Sequence, residues 1–182
     1  MRFHRLLSPI LVLLLFFLFF TSSSEVTKPT KLVDSICKKT WNYTFCVNTL
    51  YSDARVGNPD ADSYLLAYVS FGLAYTNATT TSSQIPVLLK NANTKKDVSL
   101  QHALRQCKLY YKKAVSAIEE AYNDLNSETY SYLISLTKVA SDSASNCESS
   151  FNGTVKPYPL TERNNGLKGL CEICVVVSKL FT

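Results

Sequence analysis

Histidine is almost missing from this 182-residue chain: His4 and His102 are the only two. His4 falls in the leader described below, and the one imidazole that remains cannot build a multi-histidine metal site. The chain also lacks a Gly-x-Ser-x-Gly elbow, a glycine-rich phosphate loop and a His-Glu-x-x-His pair, so common hydrolase, nucleotide and metalloprotease chemistries have no foothold. Glycine (5) and proline (6) are scarce, which excludes collagen-like and low-complexity chains. Charged residues are only 18% against 46% hydrophobic, too apolar for a disordered chain. No Lys/Arg run exceeds two residues and the net charge is +5, which is no nucleic-acid footprint. The length suits one domain.

Residues 1–24 read as a secretory signal peptide. Arg2, His4 and Arg5 precede Leu6–Phe20, an apolar run interrupted only by Ser8 and Pro9. Ser22 and Ser24 then supply small residues for cleavage before Glu25. The alternative, a membrane anchor, needs roughly 20 apolar residues. Removing Arg2 and Arg5 with the leader leaves a surplus of three positive charges. The mature chain, residues 25–182, is then a single domain bound for the extracellular space, with the vacuole as the other destination.

That mature chain reads as all-α. From Leu100 the apolar positions Leu104, Cys107, Tyr111, Ala114, Ile118, Ala121 and Leu125 recur at alternating steps of four and three, the stripe of a long amphipathic helix. Leu133, Leu136, Ala140, Ala144, Cys147 and Phe151 form a second stripe. Leu65, Tyr68, Gly72, Tyr75 and Thr79 form a third, capped by Asp60 or Asp62, and Pro86 is expected to kink or break that helix. A fourth begins after Pro159 with Thr161 as cap, and its stripe is Leu167, Leu170, Cys174, Val177 and Phe181. Residues 29–52 suggest two short helices, and Asn58-Pro59 a turn. The expected architecture is an antiparallel up-down four-helix bundle (59–182) preceded by a helical hairpin (25–58).

All six cysteines lie in the mature chain, in an oxidising compartment. Cys107 and Cys147 stand nearly equidistant from the Asn126–Thr129 turn, so an antiparallel pair brings them level; Cys37 and Cys46 flank a tight turn. Cys171 and Cys174 share a helix face with no strand before them, which suits buried thiols or one local bond better than a redox motif. Asn42, Asn77 and Asn152 begin Asn-x-Ser/Thr sequons. His102 and Glu119-Glu120 read as solvated helix surface. No catalytic residue, metal or cofactor is expected.

Several of these residues come in a familiar order: Ile36-Cys37…Phe45-Cys46, Leu104-x-x-Cys107-x-x-x-Tyr111, Asp142…Cys147-Glu148…Phe151, and Pro159-Leu160-Thr161-x-Arg163-Asn164. The chain resembles the plant invertase/pectin methylesterase inhibitor family over essentially its whole mature length, with details similar to the pollen-allergen-like members. The resemblance implies a four-helix bundle after a helical hairpin, bonds Cys37–Cys46 and Cys107–Cys147, and a disulfide-braced monomer. It also implies a protein without chemistry of its own, acting in the apoplast or vacuole by blocking one target enzyme's substrate cleft. The target is a pectin methylesterase, which removes methyl esters from homogalacturonan, or an acid invertase, which hydrolyses sucrose. Invertase-directed members carry Pro-Lys-Phe at the turn between the second and third bundle helices. Here that position holds Tyr130-Ser131-Tyr132, keeping only the aromatic third residue. Pectin methylesterase is therefore the favoured target and acid invertase the alternative. Tyr130 and Tyr132 are the candidate interface residues; otherwise Tyr132 caps the end of the core. A secreted helical bundle serving in signalling or storage is the reading from a different class.

Overall fold

The computed structural model describes residues 28–154 and 156–181. The expected leader, residues 1–24, lies outside them. Six α-helices follow in order, with no strand among the described residues. Helices α1 (Lys31–Cys37) and α2 (Tyr43–Leu50) form the hairpin; α3 (Ser63–Thr94), α4 (Val98–Asn126), α5 (Leu133–Ser149) and α6 (Thr161–Ser178) form the bundle. Side-chain oxygens set four of the starts. Thr30, Asn42, Asp62 and Asp97 accept hydrogen bonds from the backbone N–H groups of Val33, Phe45, Leu65 and Leu100, filling donors that the first turn leaves open. Lys96 and Glu128 take positive φ (57° and 54°) in the short connections either side of α4.

Each bundle helix packs on two neighbours, α3 on α4, α4 on α5, α5 on α6 and α6 on α3. The stripes of α4 and α5 face the core as their periodicity predicts, with Leu104, Tyr111, Ile118, Leu125, Leu133, Ala140 and Phe151 buried. Cys107 and Cys147 are joined with Cα atoms 4.5 Å apart, tying α4 to α5. Cys37 and Cys46 are joined at 5.4 Å, closing the hairpin.

Helix α3 departs from expectation twice. It runs through Pro86 without ending. Pro86 is exposed and Ser82, one turn back, half-exposed, so the proline lies on the helix's solvent side, while buried Ile85 and Ala92 hold both sides of it to the core. Its buried seam is also Ala67, Phe71, Ala74, Ala78, Thr81 and Ile85, not the stripe expected from Leu65 to Thr79. Small residues allow α3 to approach its neighbours closely, and the tyrosines flank the seam so that their hydroxyls reach polar partners. Tyr64 donates to the carbonyl of Leu125 (2.8 Å) and Tyr68 to Asn126 Oδ1 (2.6 Å).

Thr161 is not the cap of α6 either. Leu160 holds that position without a side-chain bond, and the Thr161 hydroxyl instead donates to Glu148 Oε1 at 2.6 Å. Helix α6 is buried on more than its bundle face because the hairpin covers its outer side. A β-carbon on Gly169 would sit 2.7 Å from the Phe45 ring, and the Trp41 N–H donates to Glu172 Oε1 (2.9 Å). No helix of the described residues is long and apolar enough to cross a membrane.

Candidate interface at the bundle tip

The turn from α4 to α5 is built by its own backbone. The N–H of Thr129 donates to the Asp124 carbonyl at 2.8 Å and that of Ser127 to the Asn123 carbonyl at 3.0 Å. Glu128 between them takes left-handed φ. The two tyrosines that follow have opposite fates. Tyr130 turns inward and stacks on Phe181, ring centroids 4.9 Å apart and planes 19° from parallel. Tyr64 meets the edges of both, at 6.4 and 5.9 Å, and Tyr68 links Tyr64 to Tyr122. The Tyr130 hydroxyl first, and burial second, push Tyr64 up to about 12. Tyr132, by contrast, is 63% exposed, and only its carbonyl is engaged, accepting from the Leu136 N–H (2.9 Å) and the Ser135 hydroxyl (2.8 Å). It does not cap the core. The tip thus carries one exposed aromatic ring two residues beyond a cluster of packed aromatics, with exposed Glu128 in the same turn.

That cluster was not foreseen from the sequence. Tyr64 and Tyr68 sit one turn apart at the start of α3, a spacing that marks a shared face, but Phe181 reaches them from the far end of the chain.

A second set of unforeseen polar contacts lies at the opposite end. Glu148 on α5 accepts from Thr161 and from Asn164 Nδ2, both at 2.6 Å. Asn164 Oδ1 in turn accepts from the Tyr111 hydroxyl at 2.8 Å. Tyr111 and Asn164 are fully buried, and burial raises the Tyr111 pKa. The residues of Cys147-Glu148 and Thr161-x-Arg163-Asn164 therefore latch α6 onto α4 and α5, a structural task.

The remaining candidates separate by burial. Among the described residues no cluster of three or more His, Cys, Asp or Glu could hold a metal ion, and His102, Glu119 and Glu120 are exposed. Cys171 and Cys174 are buried free thiols. Burial pushes Cys174 up to about 12 and Cys171 well above the usual thiol range, so neither presents a thiolate. Alkylation of the native protein should therefore label neither, and alkylation after denaturation should label both; labelling of the native fold contradicts this burial. Of the sequon asparagines, Asn152 is exposed in the turn after α5. Asn42 is half-buried and its Oδ1 caps α2. Asn77 sits within α3, its Nδ2 3.1 Å from where a β-carbon on Gly166 of α6 would lie.

Known proteins bear on this geometry. The model of the plant invertase/pectin methylesterase inhibitor family matches residues 31–177. The chain is 32% identical over 172 residues to the cell wall / vacuolar inhibitor of fructosidase 2 of Arabidopsis thaliana, covering 91% of this chain and 93% of that one. It is also 32% identical over 173 residues to a pectinesterase inhibitor of Actinidia deliciosa, covering 93% and 91%. The crystal structure of a mutant pectin methylesterase inhibitor from Arabidopsis shares the fold at a TM-score of 0.72 and 22% identity, covering 83% of this chain and 97% of that chain.

Proposed function

The chain belongs to the plant invertase/pectin methylesterase inhibitor family, and from that premise we propose that it is a secreted inhibitor that binds one cell-wall pectin methylesterase and obstructs its substrate cleft. The family is one of enzyme inhibitors, so the chain's role is binding and not catalysis. One observation carries the choice of target. The α4–α5 turn offers a single exposed aromatic, Tyr132, with Tyr130 turned into the bundle and without the proline and lysine that invertase-directed members carry there. An aromatic anchor on a braced turn loses little entropy on docking.

The second reading, an acid invertase as target, is favoured by the identity with the Arabidopsis fructosidase inhibitor. Both are tested by adding residues 25–182, expressed through a disulfide-forming secretory route, to plant cell-wall extracts. Loss of methanol release from pectin alone establishes the esterase, and loss of glucose release from sucrose alone establishes the invertase. If a folded sample slows neither, the inhibitor reading falls and signalling or storage takes its place. Within this reading Tyr132→Ala should raise the inhibition constant about tenfold or more, with little change in melting temperature. An unchanged constant removes the tip from the interface. Passage through the secretory route further implies a glycan at Asn152, and none at Asn77, where the amide lies at the α3–α6 seam; intact-mass analysis of single Asn→Gln variants reads this directly.

A further inference from the structure

Helix α4 is divided by charge. Its first 21 residues, 98–118, hold Arg105, Lys108, Lys112 and Lys113 and no acid, whereas its last eight, 119–126, hold Glu119, Glu120 and Asp124 and no base, with Glu128 in the turn beyond. All four cations are exposed. At 1.5 Å per residue they occupy about 12 Å of the helix's outer side. Among the described residues the salt bridges are Lys38–Asp34 and Arg55–Asp53, so no carboxylate comes within pairing distance of this strip. Beside it runs a shallow groove of about 550 Å³, lined by Leu109, Tyr110 and the lysines 112 and 113. Leu109 is 57% exposed and Tyr110 half-buried.

We propose that this strip binds a linear polyuronate, the de-esterified form of homogalacturonan. The identity of the polymer rests on the esterase reading above; the strip itself does not. Arg105, Lys108 and Lys112 lie about a turn apart, with Lys113 beside the last, a spacing that suits an anion repeating along a line, and Tyr110 in the adjoining groove supplies an aromatic ring for a sugar. The acidic last eight residues of α4 repel the same polymer and confine it to the basic stretch before them. A protein partner of stable size needs an apolar centre within about 800 Å² per side, and here Leu109 is the exposed apolar residue among the four cations. Fully methyl-esterified pectin lacks the charge and does not bind. The inhibitor therefore collects on stretches of polymer already stripped of methyl esters, where the enzyme it blocks has been working.

The binding arm of the test needs no enzyme. Full-length mature protein and its Lys108→Gln/Lys112→Gln/Lys113→Gln variant are passed over immobilised polygalacturonate and over fully methyl-esterified pectin at low and physiological salt, with helicity checked by circular dichroism. The expected result is binding to polygalacturonate alone, weakening steeply with salt, and about tenfold or more weaker for the variant. No binding by the wild type, or undiminished binding by the variant, overturns the proposal. So does a second arm in which the wild type forms an esterase–inhibitor complex on gel filtration without polymer and the triple variant does not, which would make the strip a protein contact. Because inhibition plays no part in the binding arm, failure of the esterase reading shows separately, in the methanol assay.

Discussion

Replacing Cys107 and Cys147 together by alanine lowers the melting temperature by roughly 10–15 °C, a loss of about 4 kcal/mol. The bond closes a loop with a sequence separation of 40, and a loop of that length keeps far more freedom when uncrosslinked and unfolded. The native helices already stand level there, with Cα atoms 4.5 Å apart, so the folded state changes little and the effect resides mainly in the unfolded chain. The Cys37–Cys46 bond, with a separation of 9, should be worth roughly 3 kcal/mol by the same reasoning. Its loss should loosen the hairpin before the bundle. Calorimetry on both double variants checks the ordering; a melting temperature within a few degrees of wild type for the Cys107/Cys147 variant contradicts it.

Asn164→Ala is expected to cost about 3 kcal/mol, because it orphans two groups at once. The Tyr111 hydroxyl, fully buried, loses its acceptor, and Glu148 loses one of two short donors. Tyr111→Phe removes only the hydroxyl and should cost about 1 kcal/mol. The double variant should then fall short of the sum, since once the hydroxyl is gone its partner has less to lose. Asn164→Asp gives a sharper signature. It sets a second carboxylate against Glu148 where the amide now lies at 2.6 Å, which raises the pKa of the pair in the folded state above its unfolded value. Stability of this variant must therefore rise as pH falls from 7 toward 5, when one of the two takes up a proton. Denaturant unfolding at several pH values reads this, and a variant whose stability does not improve on acidification counts against the latch.

Local periodicity carries far in this molecule, and the exceptions share a cause. The periodicity of helix α4 is legible because polar or charged residues fill the positions between its apolar ones, from Leu100 to Leu125. Helix α3 was misread by one register because tyrosine looks like core by size, while its ring here serves the seam's edge and its hydroxyl seeks a carbonyl. Pro86 did not end that helix because burial on both sides outweighed one lost hydrogen bond. Tyr130 and Tyr132 are two residues apart and chemically identical, so nothing local tells packed ring from anchor. Phe181, fifty-one positions beyond Tyr130, decides it. Thr161 reads as a cap in isolation, and its true acceptor, Glu148, belongs to the preceding helix.

Gly169 pressed against Phe45 has an implication for the order of assembly on the ribosome. The hairpin precedes the bundle in the chain, yet most of the surface it covers belongs to the last helix, and more than a hundred residues separate Leu50 from Thr161. Throughout that interval α2 has only α3 of the bundle to pack on, and α1 lacks the helix it will cover. Their own bond, Cys37 to Cys46, needs only nine residues of chain and can close long before α6 emerges. The short staple thus serves as a holding device in time, keeping a preformed lid ready for a helix not yet synthesised.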